Sequence, residues 1–272
     1  MFPYTVGTTM KFAICNEQFE GWDFGRICRF VKSAGYDGLE VAPFTLARYV
    51  TDLPAGRVAE LRRQAEDAGV EIIGLHWLLV QTEGMHLTSP DADVRARLSR
   101  YLVALAETCR GLGGHLMVFG SPKQRSLLPG VTQPQALDFA TGVLRDAAPA
   151  MGDLGVTLCI EPLATAETDF ITSCADGLAL VHAVGHPCVS LHLDVKAMST
   201  EPAPVPELIA RYAGRATHFH ANDANLRGPG FGATDFVPIF GALRDAGYDR
   251  WVSVEVFDYS PDPETIAVHS LE

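Results

Sequence analysis

The chain has 272 residues, 47% of them hydrophobic, at a mean hydropathy of +0.11, which excludes a disordered chain or a small disulfide-stapled scaffold. Its 33 acidic residues outnumber 21 Lys and Arg, for a formal charge of −12, so nucleic acid and anionic membrane surfaces are poor partners. The six cysteines stand singly, without a CxxC pair, and read as reduced, buried thiols of a cytoplasmic protein. No apolar run approaches the roughly 20 residues that span a bilayer. The opening segment, residues 1–15, has no basic stretch followed by a long apolar one, so no signal peptide is expected.

Short apolar strands alternate with longer amphipathic helices along the chain. KFAIC (11–15) is strand-like, and residues 22–35 have helical spacing with a glycine stop. DGLEVAP supplies a second strand, residues 47–69 end in a second helix, and VEIIGLHWLL supplies the third strand. Residues 89–114 form a capped helix, with Ser89 or Asp91 as N-cap and glycines at the stop. HLMVFG, VTLCIEP, VSLHLD, ATHFHAND and WVSVEVF continue the strands.

The strands end at Cys15, Val41, His76, Phe119, Glu161, Asp194, His220 and Glu255, at steps of 26 to 43 residues. Eight strand–helix units in one chain predict an α/β fold, a (β/α)8 TIM barrel, occupying residues 1–272 as a single domain. An open doubly wound sheet would carry a glycine-rich nucleotide loop after its first strand, and CNEQFEGWDFG has none.

Side chains alternate along a strand, so Thr157, Cys159 and Glu161 face the barrel interior when Leu158 and Ile160 face the helices. The same parity turns Ser190, His192 and Asp194, then His218 and His220, then Ser253 and Glu255 inward. Four consecutive strands thus end in the inward polar residues Glu161, Asp194, His220 and Glu255, at the end of a barrel where catalysis takes place. Three carboxylates in one partly dry cup cannot all stay ionised without a cation. The set predicts one divalent metal ion. Its many oxygens and single imidazole suit Mn²⁺, Mg²⁺ or Co²⁺, with Zn²⁺ as a further fit.

IEPLATAETDF (160–170), LHLDVKAM (191–198), HFHAND (218–223) and SVEVF (253–257), with GYDGLEVAP (35–43), resemble the motifs of sugar isomerases and epimerases built on a xylose isomerase-like barrel. That group includes ketose 3-epimerases, hydroxypyruvate isomerases and inosose isomerases or dehydratases, with endonuclease IV as a distant relative. The resemblance implies that Glu161, Asp194, His220 and Glu255 ligate the metal, and that Glu161 and Glu255 also form the acid/base pair. It implies too that Glu167 contacts the substrate near its carbonyl end. In two places the chain departs from the ketose 3-epimerase pattern. A substrate-binding His three residues after the ligand Asp is here Ala197, and an Arg six residues after the ligand His is here Leu226, with Arg227 next to it.

His76 and Trp77 end the third strand, where they either line a sugar pocket or belong to the core; Glu40 on the second strand has the same two readings. Lys123 and Arg125 in GSPKQRS, and Lys196, lie just past strand ends and would suit an anionic or enediolate oxygen. His192 and His218 sit one layer below the metal; His86, His115, His182, His186 and His269 read as surface groups. Residues 222–236 form a glycine-rich loop over the site, without the GK[ST] of a phosphate cradle.

The expected activity is therefore a metal-dependent isomerase or epimerase acting on a small sugar, keto-sugar or polyol derivative through an enediolate. A lyase or dehydratase of an inosose-like or 3-keto-sugar substrate would use the same residues. Endonuclease IV-like phosphodiester cleavage is a remote alternative, because it needs more histidine ligands and a basic face. Oligomeric state stays open between a monomer and a homo-oligomer.

Overall fold

A computed structural model describes residues 10–272; the start of the segment read for a leader lies outside the described residues. β1 (Lys11–Cys15) leads through α1 (Phe24–Ala34) to β2 (Gly38–Val41), and α2 (Arg57–Ala68) leads to β3 (Glu71–Leu75). Next come α3 (Ala92–Leu112) and β4 (Leu116–Phe119), then α4 (Gln133–Asp153) and β5 (Thr157–Ile160). α5 (Cys174–Val184) precedes β6 (Val189–Asp194). The short α6 (Val195–Met198) and then α7 (Val205–Tyr212) connect to β7 (Ala216–Ala221), and α8 (Phe236–Asp245) connects to β8 (Trp251–Val254). α9 (Pro263–His269) follows the last strand. The eight strands close in sequence order into a parallel barrel, with β8 paired to β1.

Local chemistry sets the boundaries of these elements. The Asp23 carboxylate accepts from the backbone N–H of Arg26 to start α1, and Gly35 ends it at φ 106°. Asp91 caps α3 by accepting from Asp93 and Val94, whereas the Ser89 hydroxyl accepts from the Asp91 N–H. Of the two caps the sequence offers, the carboxylate takes the helix.

Strand parity holds where it was read. Leu158 and Ile160 pack in the layer between sheet and helices, while Cys159 joins Leu116 and Val118 in a separate inner cluster. Ala13, Ile73 and Trp251 form another such cluster. Two register shifts break the simple alternation. Leu39 and Glu40 pair with Ile72 and Gly74, and Leu191 and His192 pair with Ala216 and His218. On β3 the skipped residue lets Ile73 join that inner cluster and still brings His76 against the His220 ring, at 6.2 Å between centroids. All six cysteines are free and buried, and no helix of the described residues is long and apolar enough to cross a membrane.

Candidate active site

The last four strands deliver Glu161, Asp194, His220 and Glu255 to the same end of the barrel, all of them buried. Donor atoms of Glu161, Asp194 and His220 lie within 4.8 Å of one another, and His192 belongs to the same group. His220 Nδ1 is 3.1 Å from Glu255 Oε2. The Asn222 amide donates to Asp194 Oδ2 at 2.5 Å and, more weakly, to Glu255 Oε2 at 3.5 Å, tying the carboxylates together. The Trp77 indole N–H donates to Glu255 Oε1 at 2.8 Å. Glu161 has so little room that a Cβ on Gly120 would fall 2.2 Å from its Oε2. Glycine there is a requirement of the site.

Glu40 lies beneath this group, fully buried. It accepts from His218 Nε2 at 2.8 Å and contacts His220 Nε2 at 3.2 and 3.3 Å. With Glu40 as acceptor, His220 carries its proton on Nε2 and turns the Nδ1 lone pair toward Glu255. Nδ1 has no hydrogen-bond partner: the 3.1 Å approach to Glu255 is too poorly aligned to be one. Two electron-rich atoms at that distance repel unless a proton or a cation lies between them.

Titration preferences record the same conflict. Burial, reinforced by Glu255 and Asp194, pushes the Glu161 carboxyl well above the usual carboxylate range. Burial and Glu255 push Asp194 up to about 6. Burial also pushes Glu255 upward, but His220 outweighs it and holds that carboxyl low. Burial lowers His220, yet the charges of Glu255 and Glu40 raise it well above an ordinary histidine. Glu161, His192, Asp194 and His220 are a buried donor group able to hold a metal ion; His192, expected one layer below, belongs to that group, while Glu255 stands beside it against His220.

A cavity of about 290 Å³ opens over Glu161 and Glu255. Its other walls include Trp77, Lys123, Glu167, Leu163 and Phe257. Trp77 adopts φ 50° and lies between Phe44 and Phe257, at 5.9 and 5.6 Å between centroids. Lys196 pairs with Glu167 at 2.8 Å and sits 4.1 Å from the centre of the Phe257 ring.

Of the residues expected at the substrate, Trp77, Lys123 and Glu167 line this cavity, whereas Lys196, His76, Arg125 and Arg227 do not. His76 does not line this cavity; it is fully buried and donates to Glu17 at 2.7 Å. Arg125 is 1% exposed, and its guanidinium donates to the backbone carbonyls of Glu161 and Ile171, so it supports the Glu161 strand end from behind. Arg227 pairs with Asp258 at 2.8 Å and also leaves the cavity unlined.

The 222–236 loop is tied down internally: Asp223 accepts from the backbone of Asn225 and Thr234. Of the histidines read as surface groups, His182 and His269 are exposed, whereas His86, His115 and His186 are half-buried. Sequence reasoning missed Asn222, although HFHAND places it two residues beyond His220 on the strand face that already carried His218. It also missed the Glu17–His76 pair, which joins residues 59 apart with no local signal.

The sequence matches the profile of the xylose isomerase-like TIM barrel over residues 28–272. The chain belongs to that family. Among family relatives, the D-psicose 3-epimerase of Agrobacterium fabrum is 29% identical over 238 residues, covering 86% of this chain and 79% of that enzyme. The L-ribulose 3-epimerase of Mesorhizobium japonicum is 29% identical over 171 residues, 63% and 58% of the two chains. A crystal structure of D-psicose 3-epimerase in the presence of D-fructose superimposes with a TM-score of 0.80 at 26% identity, covering 96% and 89%. The 3-keto-D-glucoside 4-epimerase of E. coli shares the fold, with a TM-score of 0.84 at 19% identity.

Proposed function

We propose that the protein is a divalent-metal-dependent epimerase or isomerase of keto-sugars, working by proton transfer at the carbon beside the substrate carbonyl. The observation that carries this reading is the pair Glu161 and Glu255, two buried carboxylates from β5 and β8 that line one cavity beside Asp194 and His220. Glu161, Asp194, His220 and Glu255 would hold the cation, and the oxygen-rich donor set favours Mn²⁺, Mg²⁺ or Co²⁺. Bound there, the cation supplies positive charge that stabilises the substrate's carbonyl oxygen as it becomes an enediolate.

The chain's own residues do the rest. One of Glu161 and Glu255 removes the proton, and the other returns a proton to the opposite face. Trp77 fixes one oxygen of Glu255, and Asn222 positions Asp194 beside the other. Lys196 brings a positive charge to Glu167, at the edge of the cavity, and stands two residues from Asp194 where the ketose 3-epimerase pattern has its histidine at the third. Leu163, Phe257 and Trp77 keep the reacting carbon away from bulk water.

The test is NMR of a panel of ketoses, keto-acids and inososes incubated in D₂O with protein and Mg²⁺. Deuterium next to the carbonyl together with an epimer supports the proposal. Deuterium uptake with loss of water would assign elimination instead. No exchange in any ketose, keto-acid or inosose would overturn proton abstraction altogether.

A further inference from the structure

The loop after β1 builds a second cavity, about 510 Å³ in size. Asn16, Glu17 and residues 19–24, then residues 44–46 beyond β2 and Tyr259 beyond β8, wall it. The two cavities share Gln81, and at their boundary Phe44 of the second stacks on Trp77 of the first. A substrate reacting between Glu161 and Glu255 has this space next to it for any group it carries beyond the sugar.

Three carboxylates give the wall a negative character, beside the neutral donors of Trp22, Gln81 and Tyr259. Carboxylates of Glu17, Glu20 and Asp23 alternate with the rings of Phe19, Trp22 and Phe44. Among the described residues Arg57 is the one cationic side chain lining it, and Glu60 engages its guanidinium at 2.9 Å. The Asn16 amide is already committed to Thr45 and to the Ala42 N–H.

Glu17 decides what fits. Its side chain is 1% exposed, and one oxygen takes the His76 proton. The other oxygen, Oε1, is buried with no partner. An unpartnered carboxylate oxygen is costly unless a ligand brings it a donor. Carboxylates interleaved with aromatic faces select a group with N–H donors and positive charge, and repel an anion. Trp22 already carries one such cation, the Arg26 guanidinium at 3.4 Å from a ring centre.

We infer that this cavity binds an ammonium group, and that the substrate is a keto-sugar bearing an amine-containing substituent rather than a free monosaccharide. The substrate half of the inference rests on the epimerase reading; the binding half stands without it.

The Mg²⁺-loaded protein is titrated with n-butylammonium, 1-butanol and butyrate, followed by saturation-transfer NMR and tryptophan fluorescence. Butylammonium should bind at least about tenfold more tightly than 1-butanol, with no binding of butyrate. Glu17→Gln should weaken it at least about threefold, and so should Glu20→Gln, an exposed rim position that spares the buried pair. Equal affinity for ammonium and alcohol, or unchanged affinity in both variants, would overturn the ammonium site.

In a second arm, a ketose carrying an aminobutyl ether is compared with its hydroxybutyl counterpart. A kcat/KM at least about tenfold higher for the amine supports the substrate assignment, and equal values overturn it. If no ketose reacts, the epimerase reading fails while the titration still reports on the cavity.

Discussion

Trp77→Phe removes one hydrogen-bond donor from the site and little else. The indole N–H bonds Glu255 Oε1 at 2.8 Å, while the ring lies between Phe44 and Phe257 with interplanar angles of 21° and 22°. A phenyl ring retains that stacking and meets the same backbone demand at φ 50°. What is lost is a hydrogen bond to a charged acceptor, worth about 1.5–3 kcal/mol. If the bond serves to aim Glu255 in the transition state, kcat falls by roughly 10- to 150-fold. KM and Mn²⁺ affinity should move far less, because the remaining donors are untouched. Steady-state epimerisation at saturating Mn²⁺, with a parallel metal titration, separates the two effects. A kcat within twofold of the parent would refute the positioning argument. Full recovery of activity with excess metal would instead assign the bond to metal binding.

Glu161→Gln and Glu255→Gln should each lose at least about 10²-fold in turnover even with metal saturated, as expected for an acid or base. Asp194→Asn should lose activity chiefly through weaker binding, recovered by excess Mn²⁺; metal titration beside turnover tests both. Gly120→Ala places a methyl group 2.2 Å from Glu161 Oε2, and should weaken Mn²⁺ binding, read by electron paramagnetic resonance. Lys196→Met keeps the apolar stem over Phe257 but strips Glu167 of its partner; kcat/KM should fall by about tenfold or more with metal affinity retained.

The pH dependence follows from the raised groups. Of the four candidate ligands, Asp194, Glu161 and His220 hold protons more tightly folded than unfolded and Glu255 less tightly; Glu40, His192 and His218 beside them also hold protons less tightly. The stability that the raised groups contribute to the metal-stripped protein should therefore be lost as pH rises from about 4, the ordinary carboxylate value, through about 6, where Asp194 titrates. Mn²⁺ displaces those protons, so the stabilisation it confers should grow over the same range, checked by thermal melts with and without metal.

The barrel was legible because its evidence is local and repeated. Apolar alternation marks each strand, Asp91 marks a helix start, and Gly35 marks a stop. Recurrence of that pattern leaves one closed arrangement of eight parallel strands. The meeting of Glu161, Asp194, His220 and Glu255 was legible for the same reason, since period-two alternation says which way a strand-end side chain points. Residues beyond the strand ends were not, because a loop has no such period. Arg125, six residues past β4, folds back onto the carbonyl of Glu161, and Arg227 turns away to Asp258. His76 finds Glu17, Trp77 finds Glu255 and His220 finds Glu40, at separations of 59, 178 and 180 residues. Closing the barrel brings these partners together, because it sets strands far apart in sequence around one shared, dry interior. There, an imidazole and a carboxylate that water would otherwise solvate must satisfy each other.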